Sequence, residues 1–132
     1  MCYIWFMRKR AGALIVINRE LLLVSENNQP FFWTPGGKVE TGESYHNALA
    51  RELAEELGAT MASAELYMEL DDPEVNEHVK YFVTTLVDNL SNAPEGVRVR
   101  MYSRHDYEEH HIEVSPRLQA IIIPRLIQEE II

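Results

Sequence analysis

Three carboxylates, Glu52, Glu55 and Glu56, stand close together in a stretch whose apolar positions Leu49, Ala50, Leu53, Ala54 and Leu57 recur at helical spacing. At about 100° per residue the aliphatic side chains fill one stripe of a helix, and the acids a sector centred well away from it. Glu52 then neighbours both Glu55 and Glu56, and like charges so placed cost roughly 0.2 to 0.5 kcal/mol per pair even in solvent. A solvated acidic face would carry Lys or Arg four residues after each Glu. Here Glu52 meets Glu56, Glu55 meets Ala59 and Glu56 meets Thr60, and only Arg51, four before Glu55, offers relief, in the weaker order. Two readings stand: a charged solvent face, or a site where a hard cation such as Mg²⁺ or Mn²⁺ removes the conflict through oxygen ligands and keeps positions open for water and phosphate oxygens.

The flanking residues must position these acids. Pro35-Gly36-Gly37 predicts a turn, the periodic run one helix of about four turns, and Gly58 its left-handed stop. From Gly37 the spacing is G-x5-E-x7-R-E-U-x-E-E-x-G, with U aliphatic, filled by Gly37, Glu43, Arg51, Glu52, Leu53, Glu55, Glu56 and Gly58. This stretch, Gly37 to Ala59, resembles the signature box of the Nudix hydrolases; Ala59 stands where the box usually ends on a bulky aliphatic, a small loss of packing.

The resemblance implies an α/β (α+β) fold, an α/β/α sandwich with a mixed β-sheet between helices. It implies hydrolysis of a pyrophosphate bond in a nucleoside diphosphate linked to another group, with a nucleoside triphosphate and a nucleotide sugar both open. Carried over, Glu55 and Glu56 match the principal ligands of Mg²⁺ (or Mn²⁺), Gly36 a backbone-carbonyl ligand, and Glu52 a ligand or general base. Gly37, Glu43 and Arg51 match the support of the loop. A further acid from outside the box often completes such sites; Glu95 is the first choice, with Glu108 and Glu109 behind it. The alternative is a nucleotide-sensing module of the same fold that binds without turnover, and retention of all three box acids favours the enzyme.

Composition agrees with a single domain over 1–132: 132 residues, 46% hydrophobic and 25% charged, suit one core. Net charge is 12 − 21 = −9, which argues against general nucleic-acid binding or an anionic membrane surface, since either needs a basic footprint. Cys2 is the single cysteine, so no internal disulfide forms and a reducing cytoplasm is expected. The opening MCYIWFMRKR has its apolar run before its basic residues, the reverse of a secretory leader, and is too short to span a bilayer. Nothing in the composition decides for or against a homodimer.

In chain order, Cys2 to Met7 predicts a strand with Arg8-Lys9-Arg10 at its exit, either a solvated edge or a phosphate contact. Ala13 to Ile17 and Leu21 to Val24 predict a hairpin turning at Asn18-Arg19-Glu20. Phe31 to Thr34 predicts a strand with Phe31 and Trp33 on one side and Phe32 on the other; Trp33 or Phe32 could stack a nucleobase, or all could pack a core. Met61 to Leu70 and Val79 to Val87 predict a second hairpin with a long connection from Asp71 to His78. Val97 to Tyr102 alternates Val97, Val99 and Met101 against Arg98, Arg100 and Tyr102, which makes Arg98 and Arg100 the phosphate candidates outside the box, unless they simply face solvent. Ser103 to Glu113 is read as loop, and Ser115-Pro116 as the start of a closing helix disturbed at Pro124.

Overall fold

The computed structural model describes residues 7–26, 29–87, 90 and 93–132. In chain order its strands are β1 (Arg8–Leu14), β2 (Val16–Ile17), β3 (Glu20–Glu26), β4 (Gly36–Lys38), β5 (Met61–Asp72), β6 (Glu77–Leu86) and β7 (Val97–Tyr102). The α-helices are α1 (Tyr45–Leu57), α2 (Arg104–Glu109) and α3 (Ile123–Gln128). Among the described residues no helix is long and apolar enough to cross a membrane. The contacts separate the chain into two compact units, one running to Leu14 and then over Pro35–Pro94, the other made of Ile15–Thr34 and Glu95–Ile132.

The first unit holds a four-stranded sheet in the order β4-β1-β6-β5. Strand β1 runs antiparallel to β4 and parallel to β6, and β5 pairs antiparallel with β6, so the sheet is mixed as expected. Helix α1 packs on β1, β4 and β5 and buries Ala48, Leu49, Leu53 and Leu57. Its start is fixed by the Ser44 hydroxyl, which accepts the Asn47 N–H at 3.0 Å, and its end by Gly58 at φ 61°.

Three expectations are corrected in this unit. The cluster Arg8-Lys9-Arg10 begins β1 instead of closing an earlier strand, because its backbone is taken up by β6, where Arg8 pairs Glu77 and Arg10 pairs Val79; the expected strand at Cys2 to Met7 lies almost wholly outside the described residues. Gly36 and Gly37 form a strand, not a turn. Gly36 sits at φ 138° against β1, where any Cβ would overlap the Ala11 carbonyl, so the glycine serves close approach of two backbones. The connection between β5 and β6 is only residues 73–76, since Asp71 and Asp72 are already paired with His78 and Glu77.

The second unit holds the sheet β2-β3-β7, antiparallel throughout. The expected turn is a two-residue one, Asn18 and Arg19 both at positive φ (52° and 64°), the geometry whose twist suits a tight hairpin. Phe31 to Thr34 is not a continuous strand: Trp33 bridges Val24 and Phe32 bridges Val114 singly. Within Ser103 to Glu113 the loop expectation fails. Ser103 and Asp106 close a reciprocal capping box and start α2, and the S-x-x-D spacing was the available sign. Ahead of α3 the chain makes a π turn over Leu118–Ile122, with the Ile123 N–H bonded to the Leu118 carbonyl. Pro124 has no N–H and its ring would crowd the Ala120 carbonyl in a regular helix; the wider turn relieves both problems.

Candidate active site

Arg51 is the centre of the box in the first unit. Its guanidinium meets Glu43 in a two-point fork, Nε to Oε2 at 2.8 Å and Nη2 to Oε1 at 3.0 Å, and Nη2 also donates to the Lys38 carbonyl at 3.0 Å. Nη1 donates to Glu52 Oε1 at 2.9 Å and reaches Glu55 Oε2 at 3.5 Å. One planar fork thus ties the loop after β4 to two of the helix acids, a task that suits arginine's fixed array of donors. Glu40, at 3.9 Å from Nη2, adds a weaker charge contact, and its N–H donates to Glu43 Oε1 at 2.9 Å. Arg51 and Glu43 are thus hydrogen-bonded across the loop; the Lys38 carbonyl and Glu40 join them without a sign in the sequence, since backbone acceptors leave no trace in side-chain spacing.

The three acids are not one exposed face. Glu55 is exposed at 60% of its side chain, Glu52 at only 18%, and Glu56 is buried at 7% overall. Glu56 follows Leu49 by seven residues, about 20° away around the helix, so the edge of the acidic sector tucks beneath the sheet. There Glu56 Oε1 accepts the Gly36 N–H at 2.7 Å, which offsets part of the cost of burying a carboxylate. The N–H of Gly36 is thus used within the protein.

Among the described residues no three His, Cys, Asp or Glu side chains already form a cage. The donor chemistry nevertheless fits a hard divalent cation, because Glu52, Glu55 and Glu56 offer only carboxylate oxygens. Gly37 contributes by lacking a Cβ, which would lie 2.8 Å from Glu52 Oε2 and displace that carboxylate. Beside the box, Lys38, Val39, Glu40, Thr41, Gly42 and Glu43 line a cleft of about 390 Å³ with Met7, Arg8 and Lys9.

The Arg51 bonds, and next the Glu40 N–H, hold the Glu43 carboxyl down at about 2 against an ordinary 4.5. A depressed carboxyl contributes stability that is complete above the unfolded value and is lost as pH falls through the folded one. The melting midpoint should therefore drop between about pH 4.5 and 2 more steeply in the wild type than in Glu43→Gln, measured by thermal scans across that range. Parallel curves would show that the fork contributes nothing to acid stability.

The remaining candidates belong to the second unit. Arg98 donates to Ser25 Oγ at 2.9 Å and to the Gln29 carbonyl at 2.7 Å, and lies over the Phe32 ring at 5.1 Å. Its Nη2 and one face of Phe32 are thus already engaged. Arg100 reaches Asp106 at 3.5 Å; burial works against that acid's charge, but Ser103 and Arg100 hold it below its ordinary value. Tyr102 shares the face expected to be exposed yet is buried. Trp33 packs edge-on to Phe31 at 5.2 Å, on the shared side expected from alternation. Glu95 sits in the exposed turn before β7 with no ion pair among the described residues, Glu109 reaches His105 at 3.9 Å, and Glu108 is exposed on α2.

The NUDIX domain model matches residues 7–124. A curated relative, the 8-oxo-dGTP diphosphatase of Haemophilus influenzae, is 33% identical over 97 residues, which cover 72% of this chain and 69% of that one. Among solved structures, a MutT from work on Aliivibrio salmonicida and Vibrio cholerae superposes with a TM-score of 0.76 at 22% identity, over 92% of this chain and 98% of that one. A NUDIX hydrolase of Nitrosomonas europaea gives 0.75 at 20% identity, over 93% and 71%.

Proposed function

The chain belongs to the Nudix family and is a Nudix-type pyrophosphohydrolase, and from that premise we propose that it hydrolyses a nucleoside triphosphate, with 8-oxo-dGTP the first candidate. The observation that carries the reading is the Arg51 fork, which joins Glu52 and Glu55 to the loop through Glu43 and the Lys38 carbonyl. An acidic face meant only for solvent has no use for such bracing. The named relative favours the triphosphate over the nucleotide sugar.

Water must add to a phosphorus already surrounded by negative oxygens. A bound divalent ion, Mg²⁺ or Mn²⁺, supplies neutralisation of that charge and a more acidic water. Glu52, Glu55 and Glu56 are the residues proposed to hold it, with the Gly36 carbonyl. The water oxygen bonds to phosphorus, the bond from that phosphorus to the bridging oxygen breaks with its electron pair leaving on the departing phosphate, and the proton passes to a carboxylate. Glu52 is the proposed acceptor: Arg51 fixes its Oε1, and its other oxygen lies over Gly37. In the second unit Trp33 is the proposed base-stacking side chain, ahead of Phe32, whose ring Arg98 covers. Arg98 and Arg100 are retained only as secondary phosphate candidates because both have protein partners, and Glu95 as the acid from outside the box.

Turnover of 8-oxo-dGTP, dGTP and ADP-ribose with and without Mg²⁺ tests this. Product is expected only with the cation, and kcat/KM for the best triphosphate should exceed that for ADP-ribose by at least about tenfold. Faster ADP-ribose hydrolysis would move the substrate to the nucleotide sugars. Tight nucleotide binding without product would make the protein a sensor.

A further inference from the structure

One row of register partners crosses the four-stranded sheet from edge to edge. Gly37 pairs Ala11, Ala11 pairs Lys80 and Lys80 pairs Glu69, so these four positions lie side by side on one face of β4, β1, β6 and β5. Helix α1 meets that row at two points. At one, the Glu52 carboxylate fills the space where a Gly37 Cβ would be. At the other, Lys80 Nζ sits over the Tyr45 ring, 4.4 Å from its centroid. Between them Ala11 is fully buried and carries too little side chain to hold the helix off the sheet.

The spacings agree. From Tyr45 to Glu52 the helix rises about 10.5 Å and turns to within about 20° of its starting direction, while Gly37 and Lys80 are two strand spacings apart, about 9.5 Å. Glu56, further along, also returns to within about 20° of Tyr45, on the other side. Tyr45, Glu52 and Glu56 therefore share one stripe of α1, and any rotation of the helix that moves the tyrosine moves both acids. The Tyr45 end is itself held. Lys80 reaches Glu69 Oε2 at 3.9 Å, and His78, edge-on to the Tyr45 ring at 6.3 Å, meets Asp71 Oδ1 through Nδ1 at 2.5 Å. Burial first, then the charges of Glu69 and Asp71, raise the Tyr45 hydroxyl above its ordinary pKa, which keeps the phenol neutral beneath the ammonium.

We propose that Tyr45 is a positioning residue for the hydrolysis: clamped by Lys80, its ring fixes the rotation of α1 on the sheet and so aims Glu52 and Glu56 at the divalent cation. The proposal rests on the metal-site reading of those two acids. Arg51 braces the site from the loop, through Glu43 and the Lys38 carbonyl; Tyr45 braces it from the sheet, along the stripe that the acids occupy. A cation over an aromatic ring is directional, because the ring attracts positive charge at its face and not at its edge. Apolar burial is not directional, so Ala48, Leu49 and Leu53 hold the helix down without setting its rotation as sharply.

Tyr45→Phe, Tyr45→Leu and Lys80→Met test it, with the Mn²⁺ affinity of the nucleotide-free protein measured by calorimetry beside kcat and KM for 8-oxo-dGTP with Mg²⁺. Tyr45→Phe keeps the ring and should stay within about twofold of the wild type in both readouts. Tyr45→Leu keeps apolar bulk without an aromatic face, and Lys80→Met keeps the stem without the charge. Each should weaken Mn²⁺ binding and lower kcat by about tenfold, with a smaller change in KM. A lowered melting midpoint with wild-type Mn²⁺ affinity and kcat would show that Tyr45 only packs, and would overturn the proposal. A Tyr45→Phe variant as impaired as Tyr45→Leu would overturn it too, since the ring would not be the part that acts. If Tyr45→Leu does not fold, Lys80→Met decides by the same two readouts. A wild type that binds Mn²⁺ yet turns over no nucleotide would overturn the hydrolase reading, and Mn²⁺ affinity would still decide the role of Tyr45. A wild type with no Mn²⁺ affinity would overturn the metal site and this proposal with it.

Discussion

Glu56→Gln is expected to lower kcat by about two to four orders of magnitude while leaving the fold in place. Glu56 is buried and takes the Gly36 N–H at 2.7 Å. A glutamine keeps the shape, and its amide oxygen can accept the same bond, so strand β4 stays docked to α1. What disappears is the charge. Ligand-binding stabilisation follows RT ln(1 + [L]/Kd), so the rise in melting midpoint that Mg²⁺ gives the wild type should shrink or vanish in the variant. Without metal the variant should melt at or above the wild type, since a buried carboxylate four residues from Glu52 has been neutralised. Melting with and without Mg²⁺, beside turnover on the same preparation, is the test. Undiminished activity, or an undiminished Mg²⁺ effect, would take Glu56 out of the site.

Arg51→Ala should lower stability and activity together. The guanidinium serves Glu43, the Lys38 carbonyl and Glu52 at hydrogen-bond distance, and its removal leaves those acceptors and four nearby carboxylates without their shared cation. Its paired acids, Glu43 first, already raise the pKa of Arg51 above its ordinary value, the same coupling seen from the other side. A loss on the order of 1 to 3 kcal/mol is expected for a partly buried, charge-assisted set of bonds. Arg51→Lys should recover little of it, because one ammonium cannot reproduce a two-point fork and reach two further acceptors. Denaturant titration with turnover decides: wild-type stability with lost turnover would place Arg51 on the substrate instead of on the loop.

Helix α1 was legible because its aliphatic spacing and Gly58 both act locally, through the helix's own geometry and one left-handed residue. The Arg51–Glu55 contact was legible for a similar reason, since four residues of helix bring the two side chains together, whereas the Arg51–Glu43 pair came only through the resemblance to the Nudix box. One feature of the site was hidden. Glu56 looked like a member of an outer acidic face, and its burial depends on Gly36, twenty positions earlier, coming alongside through strand pairing. The placement of Arg8-Lys9-Arg10 failed likewise, because charges argue for an exit only when the backbone has no partner, and here β6 supplies one. The α2 start was written locally in Ser103 and Asp106 and was masked by the polar composition around them.

The π turn over Leu118–Ile122 makes the end of the chain intolerant of changes in length. A π turn holds one residue more than an α turn, so deleting one residue there would convert it to regular helix with the flanking residues still in phase. Ile123 and Leu126, both fully buried, would keep their facing. Pro124 would at the same time regain the crowded carbonyl that the wide turn now avoids. Insertions upstream in the stretch between α2 and Val114 meet no such clash, because the chain there runs without regular helix. Evolution can thus lengthen this protein before the π turn far more easily than it can shorten the turn itself.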